Sequence, residues 1–82
     1  LIVERSDKLG GILNQCIHTG FGISLFKQEL TGPEFAHRYI QKVKAAGIAC
    51  LYNTTVTSLS ENREAVMQNE DGVFAFKAGA VV

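Results

Sequence analysis

The chain has 82 residues, 46% of them hydrophobic, and eight Lys and Arg balance eight Asp and Glu for a formal net charge of +0. That length allows one small domain. The apolar content excludes a disordered chain, and the balanced charge leaves no basic field to draw nucleic acid. No apolar run approaches the ~20 residues that a membrane span needs.

In chain order, Leu1 to Glu4 is expected as a strand. Its unbroken apolar character suits a parallel strand covered on both faces, and it ends in an acid. A loop follows from Arg5 to Gly11, with charged residues first and the pair Gly10-Gly11 last. Residues 12–30 read as mostly irregular, because Gly20 and Gly22 interrupt any long helix, with one helical turn within residues 24–29. A loop of this length in a compact domain is usually functional, or else the sign of a wrong assignment.

A helix is predicted from about Gly32 to Ala46. Thr31 and Glu34 have the spacing of a capping box, and Pro33 sits in the first turn, where its missing N–H costs nothing. Phe35, Ala36, Tyr39, Ile40, Val43 and Ala46 share one face, Glu34 and Arg38 are spaced to pair on the outer face, and Lys42 and Lys44 suit the negative end of the helix dipole. Gly47 is the stop.

Ile48 to Tyr52 reads as a second buried strand, so that strand, helix and strand form a right-handed crossover with parallel strands. Three segments then suggest an antiparallel meander: Thr55 to Leu59, Ala65 to Asn69 and Val73 to Lys77. A turn at Glu61-Asn62-Arg63 joins the first two. Asp71-Gly72 signals a type I′ hairpin between the last two. Ala78-Gly79 is a further turn, and Ala80-Val81-Val82 reads as the start of another strand. The two cysteines, Cys16 and Cys50, make no disulfide framework and suit a reducing cytoplasm as packed thiols.

The stretch LIVERSDKLGGILNQCIHTGFG, residues 1–22, resembles the second strand and following loop of FAD-dependent pyridine-nucleotide oxidoreductases. Its wording is most similar to bacterial NAD(P)/FAD-dependent oxidoreductases related to anaerobic glycerol-3-phosphate dehydrogenases. The later elements follow in that family's order, including a three-stranded meander, but only generically. The resemblance implies an α/β fold, a piece of an FAD/NAD(P)-binding Rossmann-like domain with parallel strands, one crossover helix and the meander. It also implies FAD as cofactor, with NAD(P) as a possible second. The family's G-x-G-x-x-G loop should precede the strand-end acid by ~20 residues, and no such motif occurs in the chain. The expectation is therefore an internal fragment of a longer cytoplasmic enzyme, inactive by itself.

Carried over residue by residue, the resemblance makes Glu4 the acid that accepts hydrogen bonds from the adenosine ribose. It makes Gly10 and Gly11 cofactor-proximal, with an ordinary turn as the other reading. Arg5 is placed equally well beside the adenine or in solvent. No catalytic residue is assigned. Cys16 and His18 are the candidates near a flavin, with an inert thiol and a ring without a chemical role as the ordinary readings, and Asn14 and Gln15 are possible donors to flavin or substrate. The family's disulfide-reducing branch has cysteines at positions matching Leu13 and His18, so a flavin-coupled disulfide is rejected. Cys16 and His18 by themselves make no metal site. His37 is expected in solvent; Cys50, Phe35, Tyr39, Phe74 and Phe76 are expected in the core. The competing class is a small non-catalytic α/β module that binds a partner, or a copy of itself, through exposed sheet edges.

Overall fold

The computed structural model describes residues 1–82, and the chain is a small α/β protein that divides into two compact units. Leu1–Asp7 and Cys50–Val82 make the first; Lys8–Ala49 make the second.

In the first unit, β1 (Ile2–Val3) lies parallel to β2 (Cys50–Leu51), with Ile2 opposite Cys50 and Val3 opposite Leu51. Parallel neighbours need a long connection, and the whole second unit lies between these two strands in sequence. Pairing continues past the strands: the Glu4 N–H donates to the Leu51 carbonyl at 2.8 Å, and the Glu4 carbonyl accepts from the Thr54 N–H at 3.0 Å. The expected buried strands are shorter and less covered than their apolar runs suggest. All four strand residues are half-buried, and Ile48 and Tyr52 are exposed. Two-residue strands offer little surface for other side chains to cover.

The meander is as expected. Strands β3 (Thr55–Leu59), β4 (Glu64–Asn69) and β5 (Gly72–Lys77) form an antiparallel sheet in that order. β4 and β5 pair regularly over six positions, from Glu64 opposite Lys77 to Asn69 opposite Gly72. β3 does not: its register shifts between Val56 and Ser58, leaving Thr57 as a bulge whose hydroxyl donates to the Val66 carbonyl at 3.2 Å.

The β4–β5 turn differs from the type I′ form. Its central residues are Glu70 and Asp71, neither with positive φ, and the positive φ of 132° falls one place later, at Gly72. Asn69 explains the shift, since its side-chain oxygen accepts the Asp71 N–H at 2.9 Å and holds the turn from inside.

Met67, on the central strand, is 1% exposed and is the main core side chain of this unit. Thr54, equally buried, satisfies its hydroxyl by donating to the Tyr52 carbonyl at 2.8 Å. Phe74 and Phe76, expected in the core, are 37% and 42% exposed. They share the Met67 face of a sheet that this unit leaves partly uncovered. An apolar cleft of about 700 Å³ runs along that face, with residues 1–3 and 77–82 on its other sides. Residues 80–82 form no strand: an apolar run becomes a strand only where a neighbour takes its backbone groups, and here none does.

The second unit contains a 3-10 helix (Gly11–Gln15), a single turn α1 (Ile23–Phe26) and the helix α2 (Gly32–Ala45). Phe21 and Leu30 exchange backbone hydrogen bonds of 3.1 and 2.9 Å, closing the loop that holds α1. The capping box is complete. The Thr31 hydroxyl accepts the Glu34 N–H at 3.3 Å, and the Glu34 carboxylate accepts the Thr31 N–H at 3.0 Å. At the other end the Ile48 and Gly47 N–H groups return to the Val43 and Lys44 carbonyls, the paired bonds of a Schellman motif.

The apolar stripe of α2 is graded. Ala36 is buried, Phe35, Ile40 and Val43 are half-buried, and Tyr39 and Ala46 are exposed. Phe35 and Tyr39 do not enter a closed core. They stack edge-on with one another at 5.2 Å and with Phe26 at 5.9 and 5.8 Å, an arrangement that suits the ring quadrupoles. Arg38 donates to the Gln28 side chain at 2.7 Å rather than pairing with Glu34, and together with Lys42 it lies over the Phe26 ring.

Candidate functional site

The strand-end acid belongs to the first unit. β1 delivers Glu4 to the carboxyl end of the parallel pair. Its backbone is fixed on both sides by Leu51 and Thr54, so the side chain leaves from a rigid point. Glu4 as a whole is half-buried, and its carboxylate is hydrogen-bonded at the exposed surface. One oxygen, Oε2, accepts the Ser6 N–H at 2.8 Å, which folds the loop back onto the acid. A carboxylate offers about four lone-pair positions, so accepting capacity remains for further donors. Arg5, next in the chain, is exposed. The Ser6 carbonyl accepts the Asn53 N–H at 2.9 Å, closing this end of the unit.

Gly10, Gly11, Cys16 and His18 all fall in the second unit. Gly10 has φ 114°, which an L side chain rarely adopts, and a Cβ there would meet the Asn14 amide at 2.6 Å. Asn14 is held in that place by donating to the Leu9 carbonyl at 3.0 Å. Gly10 is therefore already covered from within the chain. Gly11 differs: its φ is 52° and nothing lies within 4 Å of where a Cβ would stand. Of the two, Gly11 has the bare backbone that a ligand can approach.

Cys16 is half-buried, and its thiol donates to the Ile12 carbonyl at 3.4 Å. His18 is exposed. Its Nδ1 lies 3.1 Å from the Thr19 carbonyl, which requires the proton on that nitrogen, and its ring packs on Phe21 at 5.3 Å. Neither residue stands beside a charged partner that would activate it. Gln15 and His37 are exposed. Cys50 is half-buried beside Tyr52; burial, and then the Cys50 thiol, push the Tyr52 phenol above its ordinary value. Neither cysteine is in a disulfide.

At the start of the one long helix, α2, the Thr31 N–H donates to the Glu34 carboxylate, the Gly32 N–H to the Cys16 carbonyl and the Glu34 N–H to the Thr31 hydroxyl, and the Glu34 charge opposes an anion there. The chain thus offers a strand-end acid with accepting capacity to spare, and a helix start whose donors are already taken.

Sequence reasoning missed the role of Gly32, taken only as a helix start. A Cβ at Gly32 would collide with the Leu13 carbonyl and would reach Cys16 atoms at 2.7 Å. The Gly32 N–H also donates to the Cys16 carbonyl at 2.8 Å, tying α2 to the 3-10 helix. The available signal was a glycine inside a capped first turn, where other residue types serve as well. No protein-family model, no curated protein and no solved structure matches the chain.

Proposed function

We propose that this chain is a segment of an FAD-dependent oxidoreductase, contributing ribose binding and part of the flavin-side loop within a longer polypeptide. The observation that carries the reading is Glu4: a carboxylate at the carboxyl end of a parallel strand pair, with its backbone hydrogen-bonded and accepting capacity to spare. The order of strand, helix, strand and meander along the chain supports it. In this reading Glu4 accepts the ribose hydroxyls and Ser6 holds the acid in position. Bound flavin would supply the redox chemistry, with NAD(P) as a possible second cofactor, and the protein would supply binding and orientation. The diphosphate would rest on a G-x-G-x-x-G loop outside these residues. The segment alone is expected to bind FAD poorly and to be inactive.

Two measurements test this. The coding frame upstream of Leu1 should encode a strand followed by G-x-G-x-x-G; a frame without them overturns the proposal. In the polypeptide so defined, Glu4→Ala should lower the flavin retained on purification about tenfold, the loss of a charge-assisted hydrogen bond. Unchanged flavin content would count against it. The second reading, a non-catalytic module that associates through its sheet edges, is favoured by the unpaired outer side of β5.

A further inference from the structure

We propose that the protein self-associates as a two-fold dimer in which β5 pairs antiparallel with β5 of a second copy, centred on Ala75. This goes beyond the flavin reading and does not depend on it.

The backbone supplies the first argument. β5 is paired on one side only, and all six of its residues are exposed. The Ala78 N–H donates to the Arg63 carbonyl at 2.9 Å, so the pair Arg63–Ala78 is hydrogen-bonded and continues the β4–β5 register. Hydrogen-bonded and non-hydrogen-bonded pairs alternate along an antiparallel ladder. Counting back from Ala78, Phe76 and Phe74 direct their N–H and C=O groups to β4, whereas Val73, Ala75 and Lys77 direct theirs outward. Nothing in the first unit's ladder takes those outward groups.

The side chains supply the second. A two-fold axis at Ala75 sets Ala75 opposite Ala75 of the second copy and Val73 opposite its Lys77, giving about six new backbone hydrogen bonds. The intervening pairs are Phe74 with Phe76 of the second copy, and the reverse. Both rings lie on the Met67 face and are 37% and 42% exposed in one copy. Aromatic pairs directly across an antiparallel ladder are favourable, and the register makes the two apolar faces continuous. It also separates the only charges in the strand. Each Lys77 faces a valine, and the two lysines stand about 13 Å apart along the sheet. The contact is self-complementary, as a two-fold interface must be.

The other edges are poor alternatives. β3 carries the Thr57 bulge, and β1 and β2 are two residues each, all features that discourage strand addition.

Sedimentation of the purified protein over a wide concentration range tests the proposal; a dimer is expected, and a monomer throughout overturns it. Ala75→Pro removes an outward N–H and no internal bond, so it should give a monomer with unchanged circular dichroism, and a persistent dimer would overturn the proposal. Should that variant fail to fold, Val73→Lys and Val73→Glu decide, since Val73 is 67% exposed. Glu opposite Lys77 of the second copy should tighten dimerisation, and Lys should weaken it, each by about fivefold over two symmetric pairs. Equal effects of the two variants would rule out this register.

Discussion

Gly32 and Gly11 show how differently two glycines constrain a chain. At Gly32 a methyl group would press on backbone, the Leu13 carbonyl and the Cys16 carbonyl, which cannot rotate away. Gly32→Ala is therefore expected to destabilise the protein by about 2–3 kcal/mol, the upper part of the range of an overpacked site. At Gly11 the space is open and only the left-handed backbone opposes a side chain, so Gly11→Ala should cost about 1 kcal/mol. Urea denaturation of the two variants checks the order; equal losses would mean that the close approach at Gly32 is not real. Neither difference was legible in the sequence, because a glycine letter does not say whether it serves a dihedral angle or a contact. Glu4 was legible, as an acid closing an apolar run. The Ser6 N–H that holds its carboxylate was not, since a loop's return depends on Asn53, remote in sequence.

At the scale of elements, α2 was the most legible because its signals are local. The capping residues, the apolar spacing and the terminal glycine lie within one short window, and the Schellman bonds follow from them. Thr31→Ala should destabilise the protein by about 1 kcal/mol. The cap is also pH-dependent. The Thr31 N–H, then the Thr31 hydroxyl, and to a smaller extent the Arg38 charge hold the Glu34 carboxyl below its usual value of 4.5, against a small opposing effect of desolvation. A carboxyl depressed in the folded state stabilises fully above its unfolded value, and that contribution is lost as pH falls through the folded one. Helicity should accordingly decline on acidification below about the usual Glu range, and Glu34→Gln should flatten that decline in circular dichroism. The elements that were misjudged depend on distant partners. The 3-10 helix needs Gly10 and its carbonyl to start it, the strand at residues 48–52 shrank to the two residues that pair with β1, and residues 80–82 form no strand.

For the molecule as a whole, the balance between apolar content and enclosure governs behaviour. Leu30, Ala36 and Met67 are the buried apolar residues, while Phe74, Phe76, Leu59 and Val73 remain substantially exposed. So small an enclosed core leaves little margin, and Met67→Ala should cost at least about 2 kcal/mol. Association that covers part of the open face should add stability by mass action. The thermal midpoint is therefore expected to rise with protein concentration, and to stop doing so in Ala75→Pro; a concentration-independent midpoint in the unaltered protein would exclude the coupling.

The bulge at Thr57 limits how far such assembly would go. A ribbon with two bare flanks recruits molecule after molecule and ends as an insoluble fibre. Here one flank is spoiled, so when two copies join through the other, the irregular strands end up outermost on both sides and no third copy finds a template. In the proposed dimer the Thr57 bulge would thereby act as a chain terminator, and growth would stop at a pair.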